Sequence, residues 1–259
     1  MSRADRPGPS DSAGLPWAGR DLTPSGFEDD DGSADAALLA SLAARGADPS
    51  PETDVALFAL VRAARWIVPV VAAPAETETG ETGLLVEKRT DMAVVTIVGP
   101  DGRRALPVFT SAAALARWDA SARPVPVSAD RAAQAAVAEG CDVLLVDVGS
   151  EGPTELRPSM VWALAQRASW LPASTDPFVA KAVAVAVASE PAVVTTRLED
   201  GSPPGQGVLR VVLALRPGLD GPSVEALATR VGERLATDGE LRARVDGLAF
   251  ALEPAPGTT

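Results

Sequence analysis

No histidine and no tyrosine occur anywhere in this chain. Without an imidazole there is no Ser-His-Asp or Cys-His catalysis, no HExxH zinc site and no histidine general acid or base. The missing phenol removes a further proton donor and nucleophile. Lysine stands only at Lys88 and Lys181, and no Ser-x-x-Lys pairing occurs. The single cysteine, Cys141, has no internal disulfide partner, so a reducing compartment is expected. It follows Gly140, behind a predicted helix C-terminus, where nothing lowers a thiol pKa; the reading is a small buried apolar side chain. Long apolar runs are also missing. Val179–Ala188 is nearly apolar but contains Lys181 and is too short to cross a bilayer, and the first ten residues lack the apolar core of a signal peptide. A soluble, cytoplasmic protein is expected, away from membranes.

What is present describes a globular protein. Hydrophobic residues make up 46% of 259, enough for a sizeable core and too many for a disordered chain. The net charge of −12 argues against nucleic acid and anionic lipid, both of which need clustered Lys and Arg. Residues 1–33 are rich in Pro, Gly, Ser and Asp and read as a disordered acidic tail.

Turn chemistry, hydrophobic pattern and helix caps agree best over residues 93–111, AVVTIVGPDGRRALPVFTS. Val94–Val98 reads as a strand apolar enough to be covered on both faces, Pro100-Asp101-Gly102 as a tight turn, and Arg103–Phe109 as the returning strand. A helix starts at Thr110 or Ser111 and runs to Trp118. Before this stretch, Asp35 and Ser50-Pro51 open two helices, Trp66–Ala72 is a strand that Pro69 places at an edge, and Glu76–Glu81 is a loop. After it come an extended segment at Arg123–Val127, a helix at Ala129–Glu139 closed by Gly140, a buried strand at Asp142–Val148, a loop at Gly149–Pro153 and a helix from Pro158. These alternating elements predict an α/β (α+β) fold, with helices packed on a mixed sheet over residues 34–170. Residues 171–259 form a smaller α-β-β-α-β unit: a helix capped by Asp176-Pro177, strands at Ala192–Leu198 and Val208–Leu215, a helix capped by Ser223 and a last strand at Asp246–Leu252.

ALPVFTS (105–111), Trp118, RPVPV (123–127), the helix ending Glu139-Gly140 and DVLLVD (142–147) together resemble the SseB family, named for enhanced serine sensitivity. TDMAVVTIVGPDGRRALPVFTS is similar to a string in its actinobacterial branch. The resemblance spans roughly residues 35–170, the family's N-terminal domain, and the remainder is similar to its less distinctive C-terminal domain. It implies a link to serine tolerance, which is a phenotype, and supplies neither catalytic residues nor a cofactor.

The candidate ligand- or partner-binding residues are Phe109, Thr110, Ser111 and Asp147. Thr110 and Ser111 lie where a strand enters a helix N-terminus, a place that either caps the helix or holds an anion. Asp147 follows a buried strand, where α/β sheets tend to bind ligands; Glu151 and Glu155 would complete an oxygen-ligand set, in a spacing that matches no metal loop. Arg103 and Arg104 read as solvating a hairpin end, GSPPGQG (201–207) lacks phosphate-loop spacing, and Trp162 and Trp170 read as core or junction residues. The expectation is a non-enzymatic binding or regulatory module with no cofactor or metal, acting on a protein partner or small ligand. The alternatives are a carboxylate- or Mg²⁺-dependent enzyme using Asp147 and Glu151, and a subunit of an assembly joined by a sheet edge or the C-terminal unit.

Overall fold

Asp35 opens the ordered chain as its sequence suggests. Its carboxylate accepts from the Leu38 N–H at 2.9 Å and starts α1 (Ala36–Ala47), whose Leu38 is buried. Ser50 and Thr53 close a capping box over α2 (Pro51–Ala63), which buries Leu57, Phe58 and Val61. This computed structural model describes residues 26, 27, 29–72, 77–79, 85–87 and 92–255. The described residues from Gly32 onward make one compact unit. The acidic-tail expectation falls almost entirely outside the described residues.

Two sheets follow where one was expected. β1 (Arg65–Ala72) lies between β4 (Met92–Val94) and β7 (Arg123–Ser128), antiparallel to both. β5 (Ile97–Val98), β6 (Arg104–Val108), β8 (Val143–Val146) and β9 (Thr154–Leu156) form the second sheet in that order, with β6 and β8 parallel. Paired hydrogen bonds between Ile67 and Phe109 join the sheets. The stretch Val94–Val98 is therefore not one strand covered on both faces. It changes sheet at Val95–Thr96, and Val98 is 64% exposed. The Glu76–Glu81 loop also needs correction, because β2 (Thr77–Thr79) pairs antiparallel with β3 (Leu85–Glu87).

Pro69 is not at an edge either. Its backbone faces the side of β1 that Phe109 bonds at Ile67 and β4 bonds from Val70 onward. The missing N–H falls in the gap between those two partners, while the Pro69 carbonyl still accepts from Val95 at 3.4 Å. A proline is tolerated in a central strand when no neighbour requires its donor.

Helices α3 (Ala112–Trp118), α4 (Ala129–Ala138) and α5 (Pro158–Ala165) complete this half. Its main core joins α1, α2 and α4 to the sheets through Trp66, Leu106, Leu144, Leu156 and Met160. The second half holds α6 (Pro177–Val187), β10 (Val193–Asp200), β11 (Val208–Leu215), α7 (Gly221–Thr237), α8 (Gly239–Arg244) and β12 (Gly247–Pro254). Its sheet runs β10-β11-β12, antiparallel then parallel, around a core of Val179, Val183, Leu209, Val211, Leu213, Leu227 and Val231. Asp220, not Ser223, caps α7; the Ser223 N–H is the group it caps. α8 carries one buried apolar residue, Leu241, too little to reveal a helix by pattern. The fold is α+β, and among the described residues no helix is long and apolar enough to cross a membrane.

Candidate functional site

β6 and β8, running parallel, bring the predicted residues to one corner. Phe109 is fully buried and stacks on Trp118 with ring centroids 5.4 Å apart. Thr110 is 3% exposed. Asp147 continues the β8 ladder by donating its N–H to the Val108 carbonyl, then turns with φ of +50°, a left-handed conformation that aspartate tolerates better than most residues. That turn aims its carboxylate back at Thr110. Oδ1 accepts the Thr110 N–H at 2.9 Å and Oδ2 accepts the Thr110 hydroxyl at 2.7 Å. Arg65 donates to the Thr110 carbonyl at 3.1 Å, and Ser111 caps α3 by accepting the Ala114 N–H at 3.0 Å. The nominated residues lie together, with Thr110 and Asp147 bonded to each other, Ser111 to the start of α3 and the Phe109 backbone to Ile67.

The other carboxylates nominated with Asp147 are held elsewhere. Glu155 takes a forked pair of bonds from Arg103, at 2.9 and 3.2 Å, while Arg103 Nε donates to Asp101 at 2.6 Å. Arg103 thus clamps the hairpin end to β9. Its hydrogen bond lowers the Asp101 pKa below the ordinary aspartate value. Glu151 is exposed. No group of three or more His, Cys, Asp or Glu positioned for a metal ion occurs among the described residues. Cys141 is buried in the main core, and burial pushes its thiol pKa up, away from a reactive thiolate.

The densest polar cluster is one that sequence reasoning missed. Arg157, the residue before α5, has a side chain only 6% exposed. Nη1 donates to Asp54 Oδ2 of α2 at 2.8 Å and to the Gly205 carbonyl at 2.9 Å; Nε donates to Asp246 Oδ2, just before β12, at 2.9 Å. Arg45 reaches the same Asp54 at 3.1 Å and the same Gly205 carbonyl at 2.7 Å. Asp246 also accepts from the Ser159 N–H and hydroxyl at 2.7 and 2.8 Å, and the Trp170 indole donates to Ser159 Oγ at 3.0 Å. The guanidinium lies 5.6 Å from the Trp170 ring centroid. Burial opposes the Arg157 charge, yet Asp54 and Asp246 outweigh it and hold its pKa above the ordinary value. Burial dominates at Asp246 and raises its pKa, against Ser159 and Arg157.

This cluster draws on Asp54, Arg157, Gly205 and Asp246, spread across nearly the whole chain, so no local motif announces it. The GSPPGQG loop was the one visible signal. A Cβ on Gly207 would lie 2.6 Å from Arg157 Nε, so the glycine lets the loop close over the arginine. The cavity left among these groups is about 10 Å³, room for a single water at most. Every buried side-chain N and O atom among the described residues has a hydrogen-bond partner.

Beside the cluster a groove of about 220 Å³ opens between α5, α8 and residues 166–171. Trp170, on its inner wall, is buried against Phe58 at 5.5 Å. Trp162, expected in the core or at a junction, lines this groove and is 42% exposed, as is Leu171. Gln166, Glu240 and Arg244 complete the rim, with Arg244 bonded to Asp176 at 2.8 Å and to Glu240 at 2.7 Å.

These features define an α+β protein in which a buried arginine joins helix α2, helix α5 and the approach to β12. Residues 38–163 match the model of the SseB protein N-terminal domain, and this span of the chain belongs to the SseB family. The matched span runs from α1 into α5 and holds both sheets, the Thr110–Asp147 corner and Arg157. No curated protein and no solved structure matched.

Proposed function

We propose that this SseB-family chain is a non-enzymatic, cytoplasmic binding module that takes an apolar side chain of a protein partner into the groove beside α5 and α8. The observation that carries this reading is a contrast between inside and outside. The inward-facing Asp54, Asp147, Arg157 and Asp246 are held by structural hydrogen bonds, whereas Trp162 and Leu171 stand half-exposed above the groove. At about 220 Å³ the groove is smaller than most small-ligand sites, about 300–1,000 Å³, and fits one or two side chains. A tryptophan beside an arginine is the composition that dominates binding energy at protein interfaces. The net charge of −12 supports a partner other than nucleic acid.

An enzyme using Asp147 and Glu151 would require Asp147 to release Thr110. The test compares proteins retained by the immobilised full chain and by Trp162→Ala; the protein lost with the substitution is then purified and titrated against both. The proposal expects Kd to rise at least tenfold for Trp162→Ala. Equal affinity for the two overturns it, as does turnover of a metabolite that Asp147→Asn abolishes in folded protein.

A further inference from the structure

β12 is the last strand of its sheet and parallel to β11. The Ala255 N–H donates to the Leu215 carbonyl at 2.7 Å, and this fixes the alternation along the strand. Ala249, Ala251 and Glu253 turn their backbone groups toward β11, while Leu248, Phe250 and Leu252 turn theirs outward. Among the described residues nothing bonds that outward side. Natural edge strands are guarded by charge, proline or shortness. Here five consecutive apolar residues run unguarded until Glu253 and Pro254, and Leu248 and Leu252 are 41% and 42% exposed.

Those five residues, Leu248-Ala249-Phe250-Ala251-Leu252, read the same in both directions. A twofold interface needs a surface complementary to itself, and a palindromic strand run antiparallel to its own copy supplies one. We propose that β12 pairs antiparallel with β12 of a second copy about a twofold axis at Phe250, fusing the two sheets into one. Leu248 then faces Leu252, Phe250 faces Phe250, and Ala249 faces Ala251. The outward backbone groups of Leu248, Phe250 and Leu252 meet their counterparts in this register; a slip by one residue would set outward groups against inward ones. Charge agrees as well. The only charged residue of β12, Glu253, falls opposite Gly247 and is already bonded to Arg197 at 3.1 Å, so no like charges face each other. On the helix side α7 presents small residues: Gly232 beside Phe250, and Ala236 on a cavity of about 250 Å³ that Leu248 also lines. One strand pair lies at the small end of specific interfaces, below about 1,200 Å², so the dimer exchanges with monomer in the micromolar range. This pairing does not involve the Trp162 groove.

Sedimentation velocity of the full chain tests it. The dimer fraction should rise with concentration across the micromolar range. Leu252→Pro removes an outward N–H and leaves the bonds to β11 intact, so self-association should weaken at least tenfold while the thermal midpoint stays near that of the parent. Leu248→Lys and Leu252→Glu should each weaken it alone, and mixing the two should restore it, because those positions face one another. A parent chain monomeric at every concentration overturns the proposal, as does a folded Leu252→Pro that associates as before. If Leu252→Pro does not fold, the mixing experiment decides, and no recovery on mixing overturns the register and the pairing with it.

Discussion

At the scale of single residues, this protein uses carboxylates as hydrogen-bond acceptors for its own backbone and arginines. Asp147 accepts both donors of Thr110 while holding a positive φ. Asp147→Ala loses those bonds and keeps the unfavourable backbone, and is expected to cost about 2 kcal/mol in urea unfolding. Asp147→Asn can still accept from the Thr110 N–H and tolerates the left-handed turn; it is expected to cost less than about 1 kcal/mol. Glu190 illustrates the pH dependence. Its side chain is 6% exposed and pairs with Arg230 at 2.7 Å and Arg234 at 2.9 Å, which tie the end of α6 to α7. The Arg230 bond, foremost among its contacts, lowers its pKa below the ordinary 4.5. Glu190 therefore stabilises the fold at neutral pH, and that contribution fades as pH falls from about 4.5 through its lowered value. Because the arginines are half-exposed, Glu190→Gln should cost about 1 kcal/mol at pH 7, and the gap from the parent should narrow in acid unfolding.

At the scale of elements, the loop between β10 and β11 acts as a lid over Arg157. Gly207→Ala would place a methyl against Arg157 and Asp246, and is expected to cost at least about 2 kcal/mol by thermal unfolding, whereas Ser111→Ala, which only uncaps α3, should cost about 1 kcal/mol. Most elements were legible in the sequence because their signals are local: Asp35, Ser50-Pro51, Ser111 and Asp176-Pro177 open helices where the residues say they should. Sheet membership was not. Whether Val94 and Ile97 share a strand depends on which neighbour each finds, and Pro69 sits centrally because its two partners on one side leave a gap at its nitrogen. The same division holds for the candidate site. Ser111 as a cap was readable, and Asp147 was nominated for its place after a strand, but the bond to Thr110 depends on a turn at Asp147 that no local pattern encodes. The Arg157 cluster was illegible for a stronger reason: residues 54, 157, 205 and 246 are far apart in sequence and are neighbours only in the tertiary fold.

At the scale of the whole molecule, Arg157 belongs to the first core's half of the chain yet reaches Asp246, at the entry to the second half's last strand. A buried ion pair stabilises only when each charge keeps its partners, and breaking one leaves uncompensated charge behind. The molecule therefore depends on this joint to hold its two halves together. A cluster assembled for catalysis behaves in the opposite way, since its residues are held against stability and their replacement usually stabilises the fold. The decisive measurement is urea unfolding of Arg157→Met followed by tryptophan fluorescence and far-UV circular dichroism together. A loss of about 3–5 kcal/mol is expected, with transitions that no longer coincide between the two probes. A single transition at or above the parent's midpoint would contradict it.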